Sequence, residues 1–277
     1  MVRRLRRNQA APQLTGSART RCGRPCAALA ASLLALILTP GVGYALNEDL
    51  YAEILERFTR EVSDTAGTRV DYTGLQRSAR WRELLASLEH TDPEKIHSRR
   101  GKLAFWTNAY NILAIDTVVR NQPLESIREV GSIFRSVWAR EAGTIAGRSV
   151  TLDEIEHKIL RPMGEPRIHA AIVCASVSCP PLSREPYRAV RLDAQLDSAL
   201  RRWLADPRKG LRIDRASKTV YLSRVFDWFG EDFEDRGGVL SYLRAYVSDA
   251  DREWLSQATS IDVAYFDYDW SLNGLKQ

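Results

Sequence analysis

The sequence predicts an α+β fold, a helical N-terminal half packed on a small, mainly antiparallel sheet with hairpins. Three observations carry this. Apolar residues recur at helical spacing up to about residue 120, glycine-turn and polar-turn hairpins come later, and the two kinds of element do not alternate as a doubly wound parallel sheet requires.

Leu50, Ile54, Leu55, Phe58 and Val62 predict an amphipathic helix over 48–63. A second helix spans 81–88 and is closed off by Asp92-Pro93. The third, over 100–120, is apolar nearly all round, as a buried central helix is. It nevertheless carries Asn108 and Asn111, neighbours on one face. Buried amides need partners, since an unpaired one costs about 1–3 kcal/mol. Those partners are the backbone of another element, or a ligand resting on a polar floor. Residues 144–150 read as a hairpin turning at Gly147. Thr151 and Glu154 have capping-box spacing for a helix over 152–161 that Pro162 stops. A strand is expected over 167–175, a second hairpin from Leu211–Asp214 and Thr219–Leu222, and a last strand over 262–266.

A leader precedes these elements. Seven arginines and no acid come before Asn47, an apolar block covers 27–38, and Gly43-Tyr44-Ala45 provides a small-residue exit, so residues 1–45 read as a cleavable signal peptide. The apolar block falls short of the roughly 20 residues of a membrane span; a short membrane anchor is the competing reading. The whole chain is +5, and losing a leader with seven arginines leaves it at −2. The basic character therefore belongs to the leader, and nucleic acid is excluded as a partner. Residues 46–277 are expected to form a single domain without a membrane span, periplasmic or secreted. Cys22 and Cys26 leave with the leader; Cys174 and Cys179 stay, too few to staple a miniprotein.

Candidate chemistry gathers in two segments. On the 152–161 helix Glu156 falls within the apolar arc of Leu152, Ile155, Ile159 and Leu160, and His157 lies beside it, four residues from Asp153 and from Arg161. A buried carboxylate must be paired or neutralised. Either Arg161 or Arg167 pairs with it, or it orients a catalytic histidine. Alternation along 167–175 puts Cys174 among aliphatic neighbours and Arg167 with His169 on the opposite face. Cys179, ahead of Pro180-Pro181, is expected in a turn that displays it. Three readings of the cysteines stand: a Cys174–Cys179 disulfide, a Cys179 nucleophile activated by His169 or His157, and a zinc site. The spacing matches no familiar zinc arrangement, so no metal is expected, and no cofactor is implied. His90 and His97 lie in charged stretches and are read as surface residues. The segments 222–233 and 265–273 alternate aromatics with acids, a pattern that lines sugar and amine sites and more often closes a core edge.

Phe105-Trp-Thr-Asn-Ala-Tyr-Asn111, Leu152 to Arg161, Arg167 to Cys174, Ser178-Cys-Pro-Pro-Leu182, Asp227-Trp228 and Tyr268 to Asn273 occur in an order that resembles the domain-of-unknown-function family 547 (DUF547). The resemblance implies signature positions at Trp106, Asn108, Asn111, Glu156, His157, Arg167, His169, Cys174 and Cys179, and no established activity. The leading expectation is acyl transfer or amide hydrolysis on a small-molecule or peptide substrate. In it Cys179 attacks, His169 or His157 takes the proton, Glu156 holds the imidazole, and Trp106, Asn108, Asn111, Arg167 and Cys174 bind substrate or support the site. The rivals are an envelope binding scaffold with a protein partner and a thiol–disulfide protein.

Overall fold

The computed structural model describes residues 45–132 and 135–276. Most of the leader, including Cys22 and Cys26, lies outside the described residues. Among the described residues no helix is long and apolar enough to cross a membrane.

The architecture is α+β, as the sequence predicts, with three small sheets in place of one. Helix α1 (Glu48–Phe58) opens on Asn47, whose side chain caps Leu50 N. It stops five residues short of the predicted end because Thr59–Glu61 turns extended as β1 and pairs antiparallel with β2 (Thr68–Val70). Short helices α2 (Tyr72–Arg77) and α3 (Ala79–Glu89) follow, and then α4 (Arg99–Asn121). Every residue of α4 from Leu103 to Val119 is buried. The first predicted hairpin is present as β3 (Glu141–Ile145) and β4 (Arg148–Thr151). The second is β5 (Leu211–Asp214) with β6 (Thr219–Leu222), to which β7 (Asp262–Tyr265) adds in parallel.

Helices also populate the chain beyond residue 190, where none was expected. Leu192, Leu196, Leu200 and Trp203 recur every three or four residues and bury one face of α5 (Leu192–Leu204). The shorter α6 (Val225–Trp228), α7 (Val239–Leu243) and α8 (Asp249–Gln257) pack with it around Phe226 and Phe233.

Two predicted elements are corrected. The 152–161 helix is wound wider than α: Glu154–Leu160 is a π-helix, closed by the Arg161 N–H on the Glu156 carbonyl. Thr151 still caps it, through Glu154 N at 2.9 Å. The strand expected over 167–175 does not form. Pro166–Ala170 is a 3₁₀ turn, entered through proline and capped by the Glu165 carboxylate, and Ala175 sits at a left-handed φ of 62°. What replaces the ladder is Asn111: its Nδ2 donates to Ala171 O at 2.9 Å and its Oδ1 accepts from Val173 N at 2.8 Å. Asn108 does the same for the backbone of Tyr187, at 2.8 and 2.9 Å. The two asparagines are backbone clamps, so their partners are the backbone of other elements rather than a ligand.

The C-terminal stretch lies along the 174–179 loop. Val177 N donates to Ser271 O, Ser178 N to Asp269 O, and Asn273 N to Ala175 O. This lays Tyr268 and Trp270 beside the cysteines. Replacing Asn111 with Ala orphans one carbonyl and one amide and should cost about 2–4 kcal/mol. Chemical denaturation of the full chain measures this; a loss below about 1 kcal/mol would mean that water replaces the clamp.

Candidate active site

A cleft of about 360 Å³ opens where the π-helix, the 3₁₀ turn at His169, the 174–179 loop, α6 and the C-terminal stretch meet. Glu156, His157, His169, Cys174 and Cys179, from among the predicted site residues, all line it. Trp106, Asn108, Asn111 and Arg167 do not. Trp106 packs edge-on against Phe105, and Arg167 is held by Glu165, Asp193 and Asp197. Both are scaffold, as are the asparagines. His90 and His97 are exposed.

Cys174 and Cys179 form a disulfide. Their predicted environments are reversed: Cys179 is only 2 % exposed, whereas Cys174 is half-buried. With no strand present, Cys174 and His169 are not set on opposite faces, and both reach the cleft. Cys179 Sγ accepts from Cys174 N at 3.1 Å, and the Tyr268 hydroxyl lies 3.2 Å from Cys179 Sγ and 3.4 Å from Cys174 Sγ. Among the described residues neither histidine bonds to a sulfur; the phenol occupies that position. Burial, helped by the charge of Glu156, holds the Tyr268 pKa well above its usual value, so the phenol stays a donor.

Glu156 is 7 % exposed, and among the described residues its carboxyl takes one hydrogen bond, from the Tyr110 hydroxyl at 3.2 Å. Neither arginine suggested by the sequence pairs with it directly. Burial raises its pKa from 4.5 to about 7, with the Tyr110 bond opposing. His169 stacks on Phe229 at 4.4 Å and donates from Nε2 to Asp232 Oδ2 at 2.7 Å. Burial lowers the pKa of His169 and outweighs the carboxylate, so the ring is neutral at pH 7 and Nδ1 keeps its lone pair. Burial pushes the Asp232 carboxyl up, but bonds from His169 and from Arg161, by Nε and Nη2 at 2.8 Å each, hold it far below the carboxylate range. Arg161 also donates to His157 Nδ1 at 2.9 Å, which puts the His157 proton on Nε2, facing Asp153 at 3.6 Å. The site is thus a disulfide with a phenol donor, a carboxyl pushed toward neutrality and a neutral imidazole backed by aspartate.

Four contributors escape a reading of the sequence. Asp232, Tyr110 and Tyr268 come from distant segments, although Asp232 and Tyr268 fall in the two aromatic–acid stretches. Lys209 is 2 % exposed and donates to Ala66 O and Val177 O at 3.0 Å and to Cys179 O at 2.5 Å, fastening the disulfide loop from behind. Burial lowers its pKa to about 7. No local pattern marks a lysine with three carbonyl partners.

Residues 94–204 match the family model described as "Protein of unknown function, DUF547". This segment is a DUF547 domain. No curated protein and no solved structure matches the chain. The DUF547 segment contains α4, Glu156, His157, His169 and both cysteines. Lys209, Phe229, Asp232, Tyr268 and Trp270 lie outside it, so the cleft is built jointly by the DUF547 segment and residues C-terminal to it.

The Glu156 carboxyl gives a pH signature. Its folded pKa is raised, so the folded state holds the proton longer, and stability falls as pH rises from about 4.5 to about 7. Glu156→Gln should match the parent below pH 4.5 and exceed its stability by about 3 kcal/mol at pH 8. Denaturation across pH 4–8 measures this, and a difference independent of pH would show that Glu156 is not the buried acid described.

Proposed function

We propose that the chain is an exported thiol–disulfide exchange protein whose Cys174–Cys179 bond is its working group. The observation that carries this reading is the hydrogen bonding at Cys179. The more exposed Cys174 sulfur is the one an incoming thiolate reaches. As the new sulfur–sulfur bond forms there, the Cys174–Cys179 bond breaks and its electron pair moves to Cys179 Sγ, already facing the Cys174 N–H and the Tyr268 hydroxyl. Hydrogen bonds to a thiolate favour its departure. A second substrate thiol then attacks the substrate sulfur and releases Cys174. A substrate dithiol leaves as a disulfide, its two protons pass to the two cysteines, and Glu156 with a pKa of about 7 is suited to carry them. Export to an oxidising compartment, proposed from the leader, is where such a bond persists.

The second reading, acyl transfer by reduced Cys179, is favoured by the His169–Asp232 pair with its open Nδ1. There the Cys179 thiolate attacks the acyl carbon and expels the leaving group, which takes the proton from His169; water then frees the acyl group.

Equilibration in glutathione buffers, with alkylation of Cys174 and Cys179 followed peptide by peptide, decides between them. Exchange predicts a midpoint of about −180 to −250 mV that Tyr268→Phe moves to more negative values, because a thiolate donor is lost. A midpoint below about −300 mV marks a structural bond and contradicts exchange. Cys174→Ser leaves Cys179 free. Acyl transfer predicts a p-nitrophenyl acetate burst from this variant that His169→Ala slows at least about 100-fold, and absence of the burst contradicts that reading.

A further inference from the structure

The wall of the cleft carries chemistry that thiol exchange does not need. Trp228 and Trp270 stack at 5.6 Å with their planes 20° apart, Tyr268 lies 4.4 Å from Trp270, and Trp138 meets Trp270 edge-on at 5.5 Å. All four line the cleft. Trp228 is 44 % exposed, an indole of some size left facing solvent at the mouth. The acids lining the same space are Asp153 and Glu156, the latter ready to ionise against a bound cation, and among the described lining residues there is no lysine or arginine.

Two cations lie close to these rings. Arg161 sits 5.2 Å over Phe229, but its charge is matched by Asp232 and Glu231. Arg128 sits 5.0 Å over Trp270 without lining the cleft, so one indole of the group already takes a guanidinium. Electron-rich ring faces beside acids, with no lysine or arginine in the lining, attract a positive ligand, and indole is the strongest aromatic partner for one. A neutral sugar would use the rings and donate hydroxyls to the two acids but gain nothing from their charge, and an anion would be repelled by them.

We propose that the cleft binds an organic ammonium group, seated on the indoles of Trp228 and Trp270 with its charge toward Glu156 and Asp153. Resting on the exchange reading, this names the substrate as an ammonium-bearing thiol or disulfide. The binding itself does not require the sulfurs to react.

Titration of the Cys174→Ser/Cys179→Ser full chain by tryptophan fluorescence tests the cation site apart from the redox step. Choline should bind saturably and at least about tenfold more tightly than 3,3-dimethyl-1-butanol, its uncharged isostere of the same shape. Trp228→Ala, at an exposed position, should weaken choline several-fold more than it weakens the isostere, and Glu156→Gln should weaken choline several-fold and leave the isostere unchanged. Equal affinity for the two probes, no saturable response to choline, or choline binding indifferent to both substitutions would each overturn the proposal. Failure of the glutathione titration alone would remove the exchange reading and leave the ammonium site standing.

Discussion

Everything around the cleft depends on two side-chain amides inside a helix. In α4, buried from Leu103 to Val119, Asn108 and Asn111 are held where water is absent, and each takes one carbonyl and one amide of a segment that has no sheet to join. Four buried backbone groups would otherwise lack partners, at about 1–3 kcal/mol each. The segments so fixed, 171–173 and the turn at Tyr187, flank the loop that carries Cys174 and Cys179. Lys209 holds that loop from the other side. The loop that carries the disulfide is therefore anchored by polar contacts to a buried helix.

On this frame the protein sets ionisable groups apart by environment. Glu156, with a single phenolic donor, is pushed toward neutrality, whereas Asp232, with an arginine fork and an imidazole, is kept charged. His169 is kept neutral by burial although it touches that charge. Separating carboxyl groups in this way places a readily protonated acid and a fixed anion within one cleft. The π-helix contributes directly. Its wider turn is closed from the Arg161 N–H to the Glu156 carbonyl, and the same arginine reaches out to Asp232 and His157. Insertions of this kind recur at functional sites.

Where local periodicity decides the outcome, the sequence is a good guide. The central helix is legible from its unbroken apolar run, both hairpins from their turns, and Glu156 from a charge inside an apolar arc. Helix α5 carries the same kind of signal in its Leu192, Leu196 and Leu200 spacing, although no helix is expected there from the arrangement of helices first and hairpins later. The 167–175 segment misleads for a physical reason. Its aliphatic alternation is a strand signal, but Pro166, Glu165 and the Asn111 clamp satisfy the backbone in another way. That single difference reverses the burial of the two cysteines and brings His169 to their side of the fold. Contacts such as Asp232 with His169, 63 residues apart, and Lys209 with the cysteine loop leave no trace in spacing.

In the proposed exchange Cys174 is the sulfur open to attack and Cys179 the sulfur held as leaving group. Mapping the mixed disulfide tests it most directly. The oxidised full chain is exposed briefly to cysteamine, quenched, alkylated and sequenced by mass spectrometry. Cysteamine is expected on Cys174 with the alkyl label on Cys179. Cysteamine on Cys179, or an intact Cys174–Cys179 bond that reacts only after unfolding, would contradict it.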